Sequence, residues 1–122
     1  MRLSLFRNRL AVCRLAADAD VPAWLRGVFV SITRTPDELS VICDEDAVPA
    51  GVQAERGWRA FQLHGPIPFE VTGVAASLTG ALAAKGISVF LIATYDTDWL
   101  LVKEAVLERA IAALRSAGYE IS

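Results

Sequence analysis

A chain of 122 residues is long enough for one compact unit with a real core, or for two small lobes that share one. Hydrophobic residues make up 54% and charged residues 21%, the formal net charge is -2, and no dense run of Lys or Arg occurs; this excludes the basic surface that nucleic-acid tracking needs and directs the apolar excess toward a partner, most simply a second copy of the chain. The longest apolar runs reach about half the ~20 residues of a membrane span, and the start Met1-Arg2-Leu3-Ser4-Leu5-Phe6 lacks the apolar region and cleavage site of a signal peptide, so a cytoplasmic chain is expected.

Residues 2–6 alternate, Asn8 marks a turn and 9–15 read as a second strand, so a hairpin is expected first. Arg2, Arg7, Arg9 and Arg14 are spread through it as solvated positions. Residues 18–26, with Pro22, form a connection holding at most one helical turn. A strand at 28–33 is rich in β-branched residues, Thr35-Pro36-Asp37-Glu38 is a turn, and 39–43 is another strand. The acidic Asp44-Glu45-Asp46 has no calcium-loop spacing around it, and Pro49 and Gly51 keep any helix in 47–56 short.

The second half begins with a strand at 58–63 and a loop carrying Pro66 and Pro68. Helical period follows over 70–85, with Val71, Val74, Ala75, Leu78 and Leu82 on one stripe, and Gly86 ends it. A strand at 87–94, a turn at 95–98 and a strand at 99–102 lead to a helix over 104–117, whose apolar face holds Leu107, Ala110, Ile111 and Leu114. Gly118 caps it and 119–121 is a short last strand. The order βαββαβ with right-handed crossovers predicts an α+β fold, a ferredoxin-like α/β sandwich with both helices on one sheet face.

Laid over itself, the chain repeats. Residues 28–41 match 89–102 at an offset of about 61, with Val28 on Val89, Phe29 on Phe90, Thr33 on Thr94, Asp37 on Asp98, Leu39 on Leu100 and Val41 on Val102. The first half, 1–57, is then expected to be a degenerate copy of 58–122 that keeps its strands and loses most of its first helix, the two lobes packing as one structure. At this offset Arg34 stands where the other copy has Tyr95, which argues against a second equivalent site.

The run Gly65-Pro66-Ile67-Pro68-Phe69-Glu70-Val71-Thr72-Gly73-Val74, followed by Ile87-Ser88-Val89-Phe90-Leu91-Ile92-Ala93-Thr94-Tyr95-Asp96-Thr97-Asp98-Trp99-Leu100-Leu101-Val102, resembles the signature of ACT domains. The subgroup is that of small bacterial tandem ACT proteins related to CASTOR-type arginine sensors and to the regulatory domains of aspartate kinases. The resemblance is strongest over 58–121 and extends more weakly over 24–50, where Pro36-Asp37-Glu38-Leu39-Ser40-Val41 fits the same group. It implies tandem ACT lobes, a homodimer or pseudo-tetrameric arrangement, and an allosteric amino-acid pocket at an interface between lobes or subunits. Carried over residue by residue, the pocket takes Phe69, Glu70, Thr72 and Gly73 before and at the first helix, then Thr94, Tyr95 and Asp98.

The chemistry of these residues fits a free amino acid. A helix N-terminus suits a carboxylate, Gly73 admits a ligand close to the backbone, and Asp96 and Asp98 suit an ammonium group. The candidate ligand-binding set is therefore Pro68, Phe69, Glu70, Thr72, Gly73, Thr94, Tyr95, Asp96 and Asp98. Each has a plainer reading beside it: Thr72 as its helix's N-cap, Asp96 and Asp98 as turn formers, Gly73 as a packing residue. Glu70 complements the helix dipole and competes with a ligand carboxylate. His64, the sole histidine, has no nucleophile near it in sequence, and Cys13 and Cys43 read as buried free thiols. No catalytic set, metal site or cofactor is expected. The function expected is an amino-acid-binding regulatory module acting on an unidentified protein. The alternative is a dimerisation or protein-interaction module with a vestigial pocket, and a small enzyme is a third reading without a catalytic set to support it.

Overall fold

The computed structural model describes residues 1–65 and 72–122. In chain order the elements are β1 (Arg2–Leu5), β2 (Leu10–Leu15), β3 (Ser31–Arg34), β4 (Leu39–Asp44), β5 (Ala54–Leu63), α1 (Val74–Ala83), β6 (Phe90–Ala93), β7 (Asp98–Lys103), α2 (Leu107–Ser116) and β8 (Glu120–Ile121), with 3-10 turns at Glu45–Ala47 and Glu104–Val106. Two compact units emerge, Asn8–Trp58 and Met1–Arg7 with Arg59–Ser122.

In the larger unit the strands run β6-β7-β5-β1-β8. β1 lies antiparallel to β5, Leu3 opposite Leu63, and parallel to β8, Leu3 opposite Ile121. Alternation puts Leu3, Phe61, Leu63, Leu100 and Val102 into one cluster with Leu78 and Leu82, one turn apart on α1, and with Ala110, Ala113 and Leu114 of α2. Each fully buried Leu or Phe contributes roughly 1.5–3 kcal/mol. Two helices sharing a cluster with a mixed sheet make this the expected ferredoxin-like fold.

The smaller unit pairs β3 with β4, β4 with β2, and β2 with the first half of β5. Its core is Ala11, Cys13, Leu39, Val41, Cys43, Ala47 and Val48, with Trp24 and Leu25 packed against it from the connection before β3. No α-helix occurs among residues 8–58. Side chains tie its loops down instead: the Arg34 guanidinium donates to the carbonyls of Ala17 and Ala19, and Asn8 donates to the Asp44 carboxylate.

Several expectations change. The first two strands exist but do not form a hairpin, because the backbone of β1 is bonded to β5 and β8 and that of β2 to β4 and β5. The strand expected from residue 28 begins at Ser31 after bends at 27–29, and that expected from 87 begins at Phe90. The helix expected from residue 70 begins at Val74, with Gly73 as N-cap at φ +80° and no side-chain cap bond, so Thr72 does not cap it. The last helix starts at Leu107, its first three predicted residues forming the 3-10 turn.

A pattern of strand, turn, strand and 3-10 turn recurs in the structure, at an offset shorter than the residue identities suggest. Ser31 to Phe90, Leu39 to Asp98 and Glu45 to Glu104 are each 59 positions apart, and these residues open β3 and β6, β4 and β7, and the two 3-10 turns. The turns between the strands match in detail. Thr35 N–H donates to the Glu38 carbonyl at 2.9 Å and Thr94 N–H to the Thr97 carbonyl at 2.8 Å. The threonine hydroxyls reach the same two carbonyls. The copies therefore align Thr35 with Thr94 and Asp37 with Asp96, and the partner of Tyr95 is Pro36 rather than Arg34. Hydrogen bonding across the turn fixes this alignment, whereas identities in short apolar strands slip easily by two residues because period-2 alternation is preserved.

Candidate functional site

The β6–β7 turn is closed by the pair Ala93 and Asp98. Inside it the Thr94 hydroxyl donates to the Thr97 carbonyl at 2.9 Å. Thr97 is only 7% exposed, and its hydroxyl donates to the Leu63 carbonyl at the end of β5. That bond staples the turn beside the start of the pre-helix loop. A cavity of about 290 Å³ opens there, lined among the described residues by Gln62, Gly65, Asp96 and Thr97. It offers a carboxylate, a side-chain amide and glycine backbone to a small polar ligand.

The predicted residues fall into three groups. Asp96 lines the cavity, and Thr94 shapes the turn that carries it. Tyr95 is 79% exposed at the turn's tip, and Asp98 is half-buried as the first residue of β7. Thr72 and Gly73 are exposed at the start of α1. Pro68, Phe69 and Glu70 lie outside the described residues. Gln62, Gly65 and Thr97 are absent from the predicted set; Thr97 is the polar residue of the quoted signature whose burial no local pattern reveals.

His64 has a neighbour that the sequence hides. Ser4 Oγ lies 2.5 Å from His64 Nε2, and Arg2 Nη2 lies 3.4 Å from Nδ1. The β1–β5 register creates this, since Leu3 faces Leu63 and Ser4 faces Gln62. A guanidinium only donates, so Nδ1 is the acceptor in the contact with Arg2, while the roles of Nε2 and Ser4 Oγ toward each other depend on the tautomer of the ring.

Cys13 and Cys43 are free thiols buried in the smaller unit's core. Burial pushes Cys13 up to about 11, with Cys43 adding to the effect, and raises Cys43 as well. Thiols held in this form are poor nucleophiles. Among the described residues no group of three or more His, Cys, Asp or Glu is placed to hold a metal, and no helix is long and apolar enough to cross a membrane.

Known proteins share this architecture. A protein of Agrobacterium tumefaciens is 38% identical and superposes with a TM-score of 0.93 over 99% of this chain and 91% of that one. The regulatory subunit of aspartate kinase from Thermus thermophilus, 14% identical, has the same fold with a TM-score of 0.64 over 91% of this chain and 93% of that one. The human cytosolic arginine sensor for mTORC1 subunit 1 is 30% identical over 105 residues, 77% of this chain and 32% of the sensor. The chain spans between 31% and 53% of the length of such curated relatives. An N-terminal-domain family matches residues 8–51. The ACT-domain family matches residues 53–116. With that match over more than half its length, on a ferredoxin-like fold, the chain belongs to the ACT-domain family.

Proposed function

We propose that this protein is a regulatory module of two tandem ACT lobes, 1–57 and 58–122, the first degenerate, that binds a free amino acid or a similar small metabolite, works as a cytoplasmic homodimer, and carries no catalytic activity. The observation that supports it most is the staple from Thr97 to Leu63, which brings Asp96 and Gly65 to one cavity. Asp96 takes the ligand's ammonium group. Gly73 and the first N–H groups of α1 take its carboxylate. The relatives named as an arginine sensor and as an aspartate kinase regulatory subunit are in keeping with this role.

A ligand that binds only the folded state raises its stability. One of the proteinogenic amino acids at millimolar concentration is expected to raise the melting temperature of ligand-free protein, and Asp96→Asn is expected to abolish the rise without changing the melting temperature of the unliganded chain. No rise with any of them, or an undiminished rise in the variant, counts against the assignment.

A further inference from the structure

We infer that the chain self-associates by laying the outer face of α1 from one copy over the uncovered apolar strip that leads into β3 of another. The proposal rests on the homodimer reading and names the surfaces. The internal repeat supplies the argument. Val28, Val30 and Ile32 are the counterparts, 59 positions earlier, of Ile87, Val89 and Leu91. In the larger unit Ile87 is 4% exposed and Val89 and Leu91 pack against the cluster to which α1 contributes Leu78 and Leu82. In the smaller unit, which has no α-helix, Val28, Val30 and Ile32 are 70%, 42% and 48% exposed. The fold thus has a helix-covered strip in one copy of the repeat and the same strip bare in the other.

Natural edges are usually guarded by charge or proline. Residues 28–33, Val-Phe-Val-Ser-Ile-Thr, contain neither, and the guanidinium of Arg34, the last residue of β3, is engaged by the Ala17 and Ala19 carbonyls. Whatever covers the strip must be apolar and uncharged, since the centres of interfaces are depleted of charge. The repeat indicates that it is helical. Of the two described helices, α2 turns Glu108, Arg109 and Arg115 outward. α1 has no Asp, Glu, Lys or Arg along 74–84, and its exposed positions are Ala75, Ala76, Gly80 and Ala83 among others. Each surface is exposed, and a second copy supplies the one that the other lacks. Around a dyad axis each copy supplies one helix face and receives one, and the contacts close without leaving a free edge.

Sedimentation velocity on the full chain tests this. The wild type is expected to be a dimer at micromolar concentration. Ile32→Lys and Ala76→Glu are each expected to raise the dissociation constant by about tenfold or more, as a charge left unpaired in an interface centre does, with unchanged far-UV circular dichroism. Mixing the two variants is expected to restore dimers, because a mixed pair sets the introduced ammonium of one chain against the introduced carboxylate of the other. Should either charge disturb the fold, Val30→Thr and Ala83→Ser are expected to weaken the dimer in the same direction. A monomeric wild type overturns the homodimer reading and this interface together. A dimer indifferent to Ile32→Lys or to Ala76→Glu overturns the interface and leaves the homodimer standing.

Discussion

Thr97 links the turn's local geometry to the candidate site. It is the buried polar side chain among the described residues, and its hydroxyl is what the Leu63 carbonyl receives from the turn. Thr97→Val keeps shape and removes the donor, so it is expected to cost about 1–3 kcal/mol, the range for a buried polar group left unmet, read as a lower urea midpoint at unchanged m-value. Thr97→Ser is expected to recover most of it. Cys13 carries a second prediction at this scale. Its folded pKa, about 11, stands above the ordinary 9.0. The neutral thiol is therefore favoured by folding: its contribution is complete below about 9 and is lost as pH rises through about 11. Urea unfolding of wild type against Cys13→Ala checks this, the stability difference between them narrowing over that window and staying constant below it. Cys13 is legible in the sequence as the buried free thiol that it is, but the importance of Thr97 is not. Thr97 reads as an ordinary turn residue, and only the neighbouring strand makes it buried, whereas the repeat in the sequence marks Thr94 and Asp98 directly and reaches Asp96 only once the turn bonds realign it with Asp37.

Elements are legible where a period runs long enough to be read. The α2 stripe of Leu107, Ala110 and Leu114 and the alternation through β4 and β7 place those elements within a few residues. Their pairing is not. β1 and β8 meet through Arg2 opposite Glu120, a contact across nearly the whole chain, and nothing in either four-residue or two-residue strand specifies it. The hairpin expected at the start follows from the general preference of neighbouring strands to pair, which β5 overrides by offering both strands a longer partner. The repeat is visible in the sequence, but identities alone misalign it by two residues. Matches such as Leu39 with Leu100 outweigh the turn there, and the turn carries the physical constraint: a threonine hydroxyl and N–H bonded to the same carbonyl three residues on.

For the whole molecule, a pattern of strands and turns that recurs 59 positions apart, with two α-helices in the larger unit and none among residues 8–58, makes a quantitative demand on the two cores. Val41 and Leu100 are counterparts in the repeat, both fully buried, one in the cluster around Cys13 and Cys43 and the other in the cluster around the two helices. Leu100→Ala is expected to cost about 2–5 kcal/mol, and Val41→Ala less, since it removes fewer carbons and leaves a smaller cavity. Mutations that share no partners usually add to within about 0.5 kcal/mol. The double variant is therefore expected to lose the sum of the single costs in urea unfolding, with a single transition in each case. A coupling energy well beyond that margin would mean that the clusters act as one packed core, which is what two lobes sharing a core would give. Additive costs would show that the cluster around Cys13 and Cys43 and the cluster around the two helices are energetically separate, the larger cost at Leu100 following from the larger side chain removed.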